Sequence, residues 1–250
     1  MGYAMQKLDG KKAFVTGASR GIGAAIARRL SAEGAAVAVG YERSSAAAQT
    51  VVEAISDGGG RAVAVQMSAD DPAAVRRAVD EAAKALGGLD ILVNNAGIYR
   101  DGPIEEMTLD DIDATLNVNV RAVILASQAA LAHLPEGGRI ISTGSNLASR
   151  VPGPGMALYS ASKAALIGWT QGLARDLGPR GITVNVVHPG STNTDMNPAD
   201  GPHAADQMAL MAIPRYGTPE DVAALVAFVA GPEAGSINGT GLTVDGGANA

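Results

Sequence analysis

Tyr159 and Lys163 are the two residues whose types and spacing most directly suggest chemistry. The stretch 159–169 is rich in Ala and Leu and contains no Pro, which predicts a helix with Tyr159 and Lys163 one turn apart on one face. A nearby ammonium is expected to lower the pKa of a phenol from about 10 towards neutral pH. We therefore predict a general acid/base at Tyr159. The alternative for this spacing alone is a tyrosine at an interface beside a solvated lysine.

A glycine-rich turn follows the first predicted strand. The apolar run 12–16 leads through Gly17, Gly21 and Gly23 into a helical pattern that begins at about Ala24. Unpaired amides and the positive end of a helix meet at such a turn, so it suits a phosphate. The spacing is G-x3-G-x-G rather than the G-x-G-x-x-G of the usual dinucleotide fingerprint. A tight turn without a ligand is the alternative.

Further apolar runs predict six more strands, and helical patterns separate most of them. Strands that are apolar throughout and alternate with helices are typical of a parallel sheet covered on both faces. We predict a single α/β domain over residues 1–250, a doubly wound Rossmann domain with a seven-stranded parallel sheet between helices. The later strands are predicted at 34–40, 61–67, 89–93, 139–145, 182–187 and 241–244, and helices at 45–56, 109–131 and 219–230, among others.

Polar residues cluster where the predicted strands end. Asn95 and Gly97 follow the fourth strand and Ser145 ends the fifth, at the edge where open α/β sheets bind ligands. Asn119 interrupts an apolar helical stretch, so it is either a hydrogen-bonded core residue or part of a site. The segment 193–214 shows little regular pattern, which is typical of a lid.

Composition excludes several functions. The net charge is -6 without a basic cluster, which argues against nucleic-acid binding. The chain has no Cys, and His133 and His203 lack neighbouring ligands, so we expect no metal. No apolar run is long enough for a membrane span, and the polar segment 1–12 does not resemble a signal peptide. We expect a soluble cytoplasmic protein without membrane partners.

Taken together, these motifs closely resemble the short-chain dehydrogenase/reductase (SDR) family, and within it the 3-oxoacyl-[acyl-carrier-protein] reductase-like group. The resemblance covers nearly the whole chain and depends on the order and spacing of the motifs. They are Thr16-Gly17, Gly21-Ile22-Gly23, Asn94-Asn95-Ala96-Gly97, Asn119, Ser145, Tyr159-x3-Lys163, Pro189-Gly190 and Val244-Asp245-Gly246-Gly247.

The resemblance implies four catalytic residues. Tyr159 donates a proton to the carbonyl oxygen as hydride arrives from the nicotinamide, and Lys163 lowers its pKa and binds the nicotinamide ribose. Ser145 hydrogen-bonds the substrate oxygen, and Asn119 holds a water in the proton relay. Asn146 also has a spacing found in the family, but Ser145 is chosen because a hydroxyl is needed.

The resemblance also implies a dinucleotide cofactor. Tyr41 stands where NAD-preferring members carry Asp, and Arg20 and Arg43 are placed to clamp a 2′-phosphate. We therefore predict NADP(H) over NAD(H), although Glu42 favours NAD(H) if it points inward. Ser68 replaces an Asp that often touches adenine. The predicted cofactor-binding residues are Gly17, Ser19, Arg20, Gly21, Ile22, Gly23, Tyr41, Arg43, Ser68, Asn95, Ala96, Gly97, Tyr159, Lys163, Pro189, Gly190, Thr192 and Thr194.

The predicted function is NADP(H)-dependent reduction of a 3-oxoacyl or other small apolar ketone, or oxidation of the alcohol. One alternative is an NAD-dependent secondary alcohol or sugar dehydrogenase, and another is a non-catalytic dinucleotide-binding regulator. A serine hydrolase is disfavoured because no G-x-S-x-G surrounds Ser145. A homotetramer is expected from the family, and His188 is expected to be a packing residue. The predicted substrate-binding residues are Ser145, Tyr159, Tyr99, Met156 and Met196.

Overall fold

A seven-stranded, all-parallel sheet forms the centre of the protein. The computed structural model describes residues 6–250. Residues 1–5, which belong to the segment 1–12 that was compared with a signal peptide, lie outside the described part. The strand order is β3-β2-β1-β4-β5-β6-β7. The chain adds strands β1 to β3 towards one edge of the sheet and β4 to β7 towards the other, so the topological switch point lies between β1 and β4. The strands are β1 (Lys12–Val15), β2 (Ala36–Tyr41), β3 (Ala62–Gln66), β4 (Ile91–Asn94), β5 (Arg139–Thr143), β6 (Thr183–Pro189) and β7 (Gly241–Val244).

All seven predicted strands are present, and several of their predicted ends were wrong by one or two residues. The apolar pattern includes Gly34 in β2. Its φ of 102° and the hydrogen bond from its amide to the carbonyl of Ser31 instead place it in the turn that precedes the strand. Ser145 was assigned to β5, but β5 ends at Thr143 and Ser145 begins a short 3₁₀ turn. A turn glycine therefore delays the start of β2, and the 3₁₀ turn that Ser145 caps shortens β5.

Eight helices of at least six residues are present within residues 6–250, and the longer ones cover the sheet. One face packs against α1, α2 and α8, and the opposite face packs against α3, α5 and α6. Neighbouring strand residues serve different faces, as Val15 and Phe14 show. The helices are α1 (Gly21–Ala32), α2 (Ser45–Asp57), α3 (Pro72–Leu86), α4 (Leu109–Leu116), α5 (Ala122–Ala130), α6 (Ala157–Leu177), α7 (Ala204–Ala209) and α8 (Pro219–Ala230).

The helix predicted over 109–131 is interrupted. A π turn over Asn117–Arg121 separates α4 from α5, and the amide of Ala122 bonds to the carbonyl of Asn117. Such a turn inserts one residue into the helical ladder and is frequent at functional sites. The buried Asn119 lies inside it. The prediction of one regular helix was therefore wrong at the position that carries a candidate site residue.

Two further predictions concern helix ends and the lid. Helix α1 begins at Gly21, three residues before the predicted start at Ala24, so the glycine turn includes the first turn of the helix. Asp71 caps α3, because its carboxylate accepts the amide of Ala73 at 2.8 Å. The segment 193–214 is not wholly irregular, since it contains α7.

Candidate active site

Helix α6 places Tyr159 and Lys163 together, as their spacing predicted. The ammonium Nζ of Lys163 lies 5.8 Å from the ring centroid of Tyr159. Lys163 is only 4% exposed, and its Nζ donates a hydrogen bond of 2.9 Å to the carbonyl of Thr143 at the end of β5. This bond ties the catalytic helix to the sheet. Sequence reasoning missed Thr143, because only the fold brings its carbonyl to the lysine.

The ionisation of the pair differs from the prediction. Burial raises the pKa of Tyr159 to about 12, and the nearby hydroxyl of Ser145 opposes this rise. Burial lowers the pKa of Lys163 to about 8. The expected fall of the Tyr159 pKa is therefore wrong for this structure, because desolvation outweighs the influence of an ammonium that bonds Thr143 instead. At neutral pH the tyrosine is a phenol and the lysine is mostly charged.

Ser145 lies close enough to Tyr159 to lower its pKa. Its side-chain oxygen accepts the amide of Leu147 at 3.2 Å, which fixes the hydroxyl at the start of the 3₁₀ turn. The amide side chain of Asn146 faces elsewhere and contacts Asn249. Of the two candidates considered from the sequence, the structure thus brings Ser145 to the tyrosine.

Asn119 is fully buried and its side chain is fully engaged. Its Oδ1 accepts the amide of Ile98 at 2.9 Å, and its Nδ2 donates to the carbonyl of Ile98 and to the hydroxyl of Ser162, each at 3.0 Å. The water relay that the resemblance implies at this residue stays a prediction. Ser162, which also donates to the carbonyl of Tyr159 at 2.7 Å, was missed by sequence reasoning.

Asn95 holds the loops after β1 and β4 together. Its side-chain nitrogen donates to the carbonyls of Thr16 and Gly17 at 3.1 Å, and its oxygen accepts the hydroxyl of Thr143 at 3.3 Å. The hydroxyl of Thr16 accepts the amides of Asn95 and Ala96, both at 3.0 Å. Thr16 was quoted only as part of a motif, yet it is the centre of this network. Its place directly before the glycine turn is the signal that could have identified it.

The glycine turn fits an anionic ligand. Gly17 and Gly21 have φ values of 62° and 54°, and a Cβ at Gly17 would lie 2.8 Å from the Cα of Ala96. Within the described residues, no side chain caps the N-terminus of α1. The first amides of the helix are thus available to a phosphate. Thr194 approaches this turn, because a Cβ at Gly21 would lie 3.4 Å from its methyl group.

The two predicted clamp residues each face a carboxylate. Arg20 lies 3.4 Å from Asp195, which belongs to the lid segment, and Arg43 lies 3.6 Å from its neighbour Glu42. The side chains of both arginines are largely exposed. The structure therefore places both cations near the glycine turn and the end of β2, but pairs them with acids rather than with each other.

The other residues predicted at the adenosine end are only partly exposed. Tyr41 packs against the core at the end of β2, and its carbonyl accepts the amide of Met67 at 2.7 Å. Ser68 donates its hydroxyl to Asp70 at 2.7 Å. Ser19 is half-buried inside the turn, and Ile22 packs against the core from the start of α1. Their contacts with a cofactor stay predictions.

The loop after β6 lies beside the C-terminal turn. The amide of Gly190, directly after Pro189, bonds to the carbonyl of Val244 at 3.0 Å. A Cβ at Gly190 would lie 2.6 Å from the Cβ of Asp245, so only glycine fits. Thr192 donates its hydroxyl to the carbonyl of Gly190 at 3.0 Å. The resemblance implies that residues 189–194 face the nicotinamide amide, and we call them the candidate nicotinamide loop. This loop is thus held by backbone and hydroxyl hydrogen bonds.

A network of amide side chains folds the lid segment. Asn197 and Gln207 exchange two hydrogen bonds, one of 2.9 Å and one of 3.2 Å. Tyr216 donates to the oxygen of Asn197 at 3.2 Å, and Ser191 donates to that of Gln207. The lid is therefore tied both to the loop after β6 and to the residues that precede α8.

Of the other predicted substrate-binding residues, Tyr99 lies next to Tyr159. The ring of Tyr99 meets it edge to face, with centroids 4.9 Å apart and an interplanar angle of 72°. Burial and the nearby Asp101 raise the pKa of Tyr99, so its hydroxyl stays protonated at neutral pH. Met156 occupies the N-cap position of α6 without a capping bond from its side chain, and Met196 is 59% exposed in the lid segment. Substrate contacts of the methionines stay predictions.

Two negative findings apply to residues 6–250 only. Their His, Asp and Glu side chains form no cluster of three that could bind a metal ion. In the same part of the chain, each helix is too short or too polar to cross a membrane.

Fold and site together define the class of protein. A parallel sheet with a glycine turn after β1 and a Tyr-Lys pair beside Ser145 is the arrangement that the motifs predicted. A sequence model described as short chain dehydrogenase matches residues 11–204. The chain belongs to the short-chain dehydrogenase/reductase family of oxidoreductases.

Particular members of the family resemble it along nearly their whole length. A short chain dehydrogenase from Burkholderia cenocepacia J2315, crystallised in complex with NADP, is 72% identical with a TM-score of 0.96, covering 98% of this chain and 100% of that one. The cyclic-di-GMP-binding biofilm dispersal mediator protein of Escherichia coli (strain K12) is 48% identical over 97% of this chain and 98% of its own length. Versicolorin reductase stcU of Emericella nidulans is 42% identical over 97% of both chains.

Proposed function

We propose that the protein is an NADP(H)-dependent carbonyl reductase that uses Tyr159 as its general acid. The observation that carries this proposal is the placement of a protonated phenol, a buried lysine and the Ser145 hydroxyl at the carboxyl edge of the sheet. Burying the charge of Lys163 is costly, which supports a functional role for this lysine.

When bound, the nicotinamide cofactor supplies a hydride to the carbonyl carbon. Negative charge then develops on the carbonyl oxygen, and Tyr159 transfers its phenolic proton to that oxygen, which yields the alcohol. The Ser145 hydroxyl donates a hydrogen bond to the same oxygen, and the charge of Lys163 stabilises the phenolate that Tyr159 becomes. A proton from solvent restores the phenol, and the alcohol oxidation uses the same groups in reverse.

The preference for NADP(H) is supported by charge near the adenosine end. Arg20 and Arg43 lie beside the glycine turn and after β2, and a tyrosine occupies position 41 instead of a carboxylate. Guanidinium groups bind phosphate well, whereas an acid at that strand end would favour a free ribose hydroxyl. The 72% identical Burkholderia structure contains NADP, which agrees with this preference.

The proposed substrate is a small apolar ketone, with 3-oxoacyl groups as one class. Tyr99 supplies an aromatic wall next to Tyr159, and the exposed Met196 supplies an adaptable apolar surface in the lid. Because a 42% identical relative is named a versicolorin reductase, versicolorin is a second compound to be tested.

The direct test is a turnover assay with NADPH and NADH run separately against β-keto esters, aryl ketones and diketones. NADPH oxidation that depends on a ketone and exceeds the rate with NADH is the expected result. Dominant use of NADH would instead favour the NAD-dependent alcohol or sugar dehydrogenase, with Glu42 at the ribose. Failure of every ketone with both cofactors would contradict the reductase.

A regulator that binds a dinucleotide is the second candidate, because one specific comparison favours it. The 48% identical Escherichia coli relative is described as cyclic-di-GMP-binding. Calorimetric titration with cyclic-di-GMP, in the absence and presence of saturating NADPH, tests this candidate. Tight cyclic-di-GMP binding without ketone turnover would support the regulator, and turnover without such binding would support the reductase alone.

A further inference from the structure

His188 is a buried imidazole beside the candidate active site that the proposed reaction does not use. It is the sixth residue of β6, directly before Pro189, and it is 4% exposed. Two glycines make room for its ring. A Cβ at Gly144 would lie 2.5 Å from its Nδ1, and a Cβ at Gly241 would lie 2.7 Å from its Nε2. The ring therefore has one tightly fitted position between the residues that flank β6 on both sides.

The ring nitrogen Nδ1 faces the backbone of Ser145. It lies 3.2 Å from the amide nitrogen of Ser145 and 2.9 Å from its carbonyl oxygen. In one tautomer Nδ1 accepts the amide proton, and in the other it donates to the carbonyl. Burial, helped by the charge of Lys163, lowers the pKa of His188, so the ring is neutral at physiological pH and one of these bonds is made in either tautomer.

Ser145 is consequently held at two places. His188 fixes its backbone, which is extended with φ -164° and ψ 150°, and the amide of Leu147 fixes its hydroxyl oxygen at 3.2 Å. The backbone angles of Ser145 place its Cβ, and the bond from Leu147 restrains the torsion that then directs the hydroxyl oxygen. A hydroxyl that must meet a substrate oxygen tolerates little displacement, because an error of about 1 Å can cost about a hundredfold in rate.

We propose that His188 is a positioning residue that fixes the backbone of Ser145 through Nδ1 and thereby aims the serine hydroxyl at the substrate carbonyl. The proposal depends on the proposed function for the role of Ser145. His188 also directly precedes Pro189 and Gly190 in the chain, so its fixed position helps to hold the loop that follows β6. Serine and the candidate nicotinamide loop thus share one anchor in β6. The proposal adds a positioning role to the packing role that the sequence predicts for His188.

Two substitutions separate this role from simple packing. In His188→Asn, the side-chain amide reaches the place of Nδ1, where it can both donate and accept. In His188→Gln, the longer side chain carries its amide to the place of Nε2, so the Ser145 backbone loses its side-chain partner and keeps only the bond from the amide of Ala148 to its carbonyl. Both variants keep a polar, uncharged side chain. Packing alone would therefore be disturbed in both.

The experiment measures kcat with NADPH and a ketone, the Kd of NADPH and the Tm of each variant. His188→Gln is expected to lower kcat about ten- to a hundredfold with an unchanged Kd for NADPH, and His188→Asn to stay within about threefold of the wild type. Equal losses in the two variants, or no loss in His188→Gln, would overturn the proposal. Comparable Tm values show that the folds are intact.

A second readout does not require turnover. Amide hydrogen exchange over residues 145–148 is expected to match the wild type in His188→Asn and to be clearly faster in His188→Gln. Unchanged exchange in His188→Gln would contradict the backbone anchor. A wild-type protein that reduces no ketone would contradict the proposed function, while the exchange comparison would still decide whether His188 holds Ser145.

Discussion

At the scale of single residues, Lys163 carries an electrostatic cost. Its ammonium is almost fully buried and has one hydrogen bond, to the carbonyl of Thr143. Burial lowers its pKa to about 8, which shows that the charged form is disfavoured in the folded chain. The protein retains this charge beside Tyr159, where the proposed proton transfer needs it.

The lysine therefore predicts a pH-dependent stability. Its pKa is about 8 in the folded chain and about 10.4 when unfolded, so the unfolded chain binds more protons between these values. The free energy of unfolding then rises with pH across this window. Lys163→Met removes the effect, and we expect the variant to be about 1–3 kcal/mol more stable than the wild type at pH 7, and less so towards pH 10.

Denaturant unfolding of wild type and Lys163→Met at several pH values measures this difference. Lys84 is exposed on α3, and Lys84→Met is the matched control, for which we expect a small difference that does not change with pH. A Lys163→Met advantage that stays constant from pH 7 to pH 10 would contradict the lowered pKa.

The residue types at the site were predictable, and their ionisation was not. Tyr159 and Lys163 follow from helical spacing, and Ser145 from the resemblance. The raised pKa of Tyr159 depends on how deeply the fold buries the ring, and the partner of Lys163 is a backbone carbonyl. A carbonyl carries no mark in the sequence, so contacts such as the one to Thr143 become visible only in the structure.

At the scale of elements, the loops after β1 and β2 carry the residues that we propose select the cofactor. Arg43 pairs with Glu42, so a 2′-phosphate would have to compete with that carboxylate. Arg43→Ala is expected to raise the KM for NADPH about tenfold, because a charge-assisted bond to phosphate is lost, and to leave the KM for NADH nearly unchanged. Steady-state kinetics with both cofactors measure the two constants.

Glu42→Gln is the opposite variant for the same loop. It frees Arg43 from its partner and is expected to lower the KM for NADPH while leaving the cation in place. Equal changes of the NADPH and NADH constants in Arg43→Ala would show that the arginine does not read the 2′-phosphate.

The lid predicts a second element-scale effect. Gln207 holds Asn197 by two hydrogen bonds and accepts one from Ser191. Gln207→Leu removes these bonds and is expected to raise the KM for the ketone about three- to tenfold and to speed proteolysis of the lid, since each bond contributes about 1 kcal/mol. Gln49→Leu, on the exposed face of α2, is the matched control and should change neither value.

Elements were predictable to the extent that apolar patterns fix them. All seven strands were found, because most of their residues are apolar and the five inner strands are largely buried. The π turn at Asn117–Arg121 was missed, because one inserted residue hardly alters the apolar period of a helix. The short helix α7 was missed as well, since tertiary hydrogen bonds of Gln207 support it within a polar segment.

At the scale of the whole molecule, a parallel sheet brings distant loops to one edge. The loops after β1, β4, β5 and β6 all lie at the carboxyl ends of neighbouring strands. This topology is why a correct strand order predicts the site. Contacts between remote residues are different, because Asn146 and Asn249, or Arg20 and Asp195, meet through the detailed path of the loops.

A homotetramer is the whole-molecule prediction that the family resemblance implies. Phe228 on α8 is 44% exposed, and α8 contacts the edge strand β7, whose outer side is unpaired within the described sheet. Such a surface suits a contact between copies of the chain. Light scattering after size exclusion is expected to give four chains for the wild type and fewer for Phe228→Glu. A monomeric wild type across a range of concentrations would contradict the prediction.

In the proposed reaction the Tyr159 hydroxyl supplies the proton for carbonyl reduction. A comparison of the wild type with Tyr159→Phe tests this role. It measures the ketone-dependent kcat with NADPH, and the Kd of NADPH by fluorescence titration. We expect kcat to fall about 10²- to 10⁴-fold, because general acid catalysis is lost, with a Kd that changes little. Carbonyl reduction by Tyr159→Phe at near the wild-type rate would contradict the account.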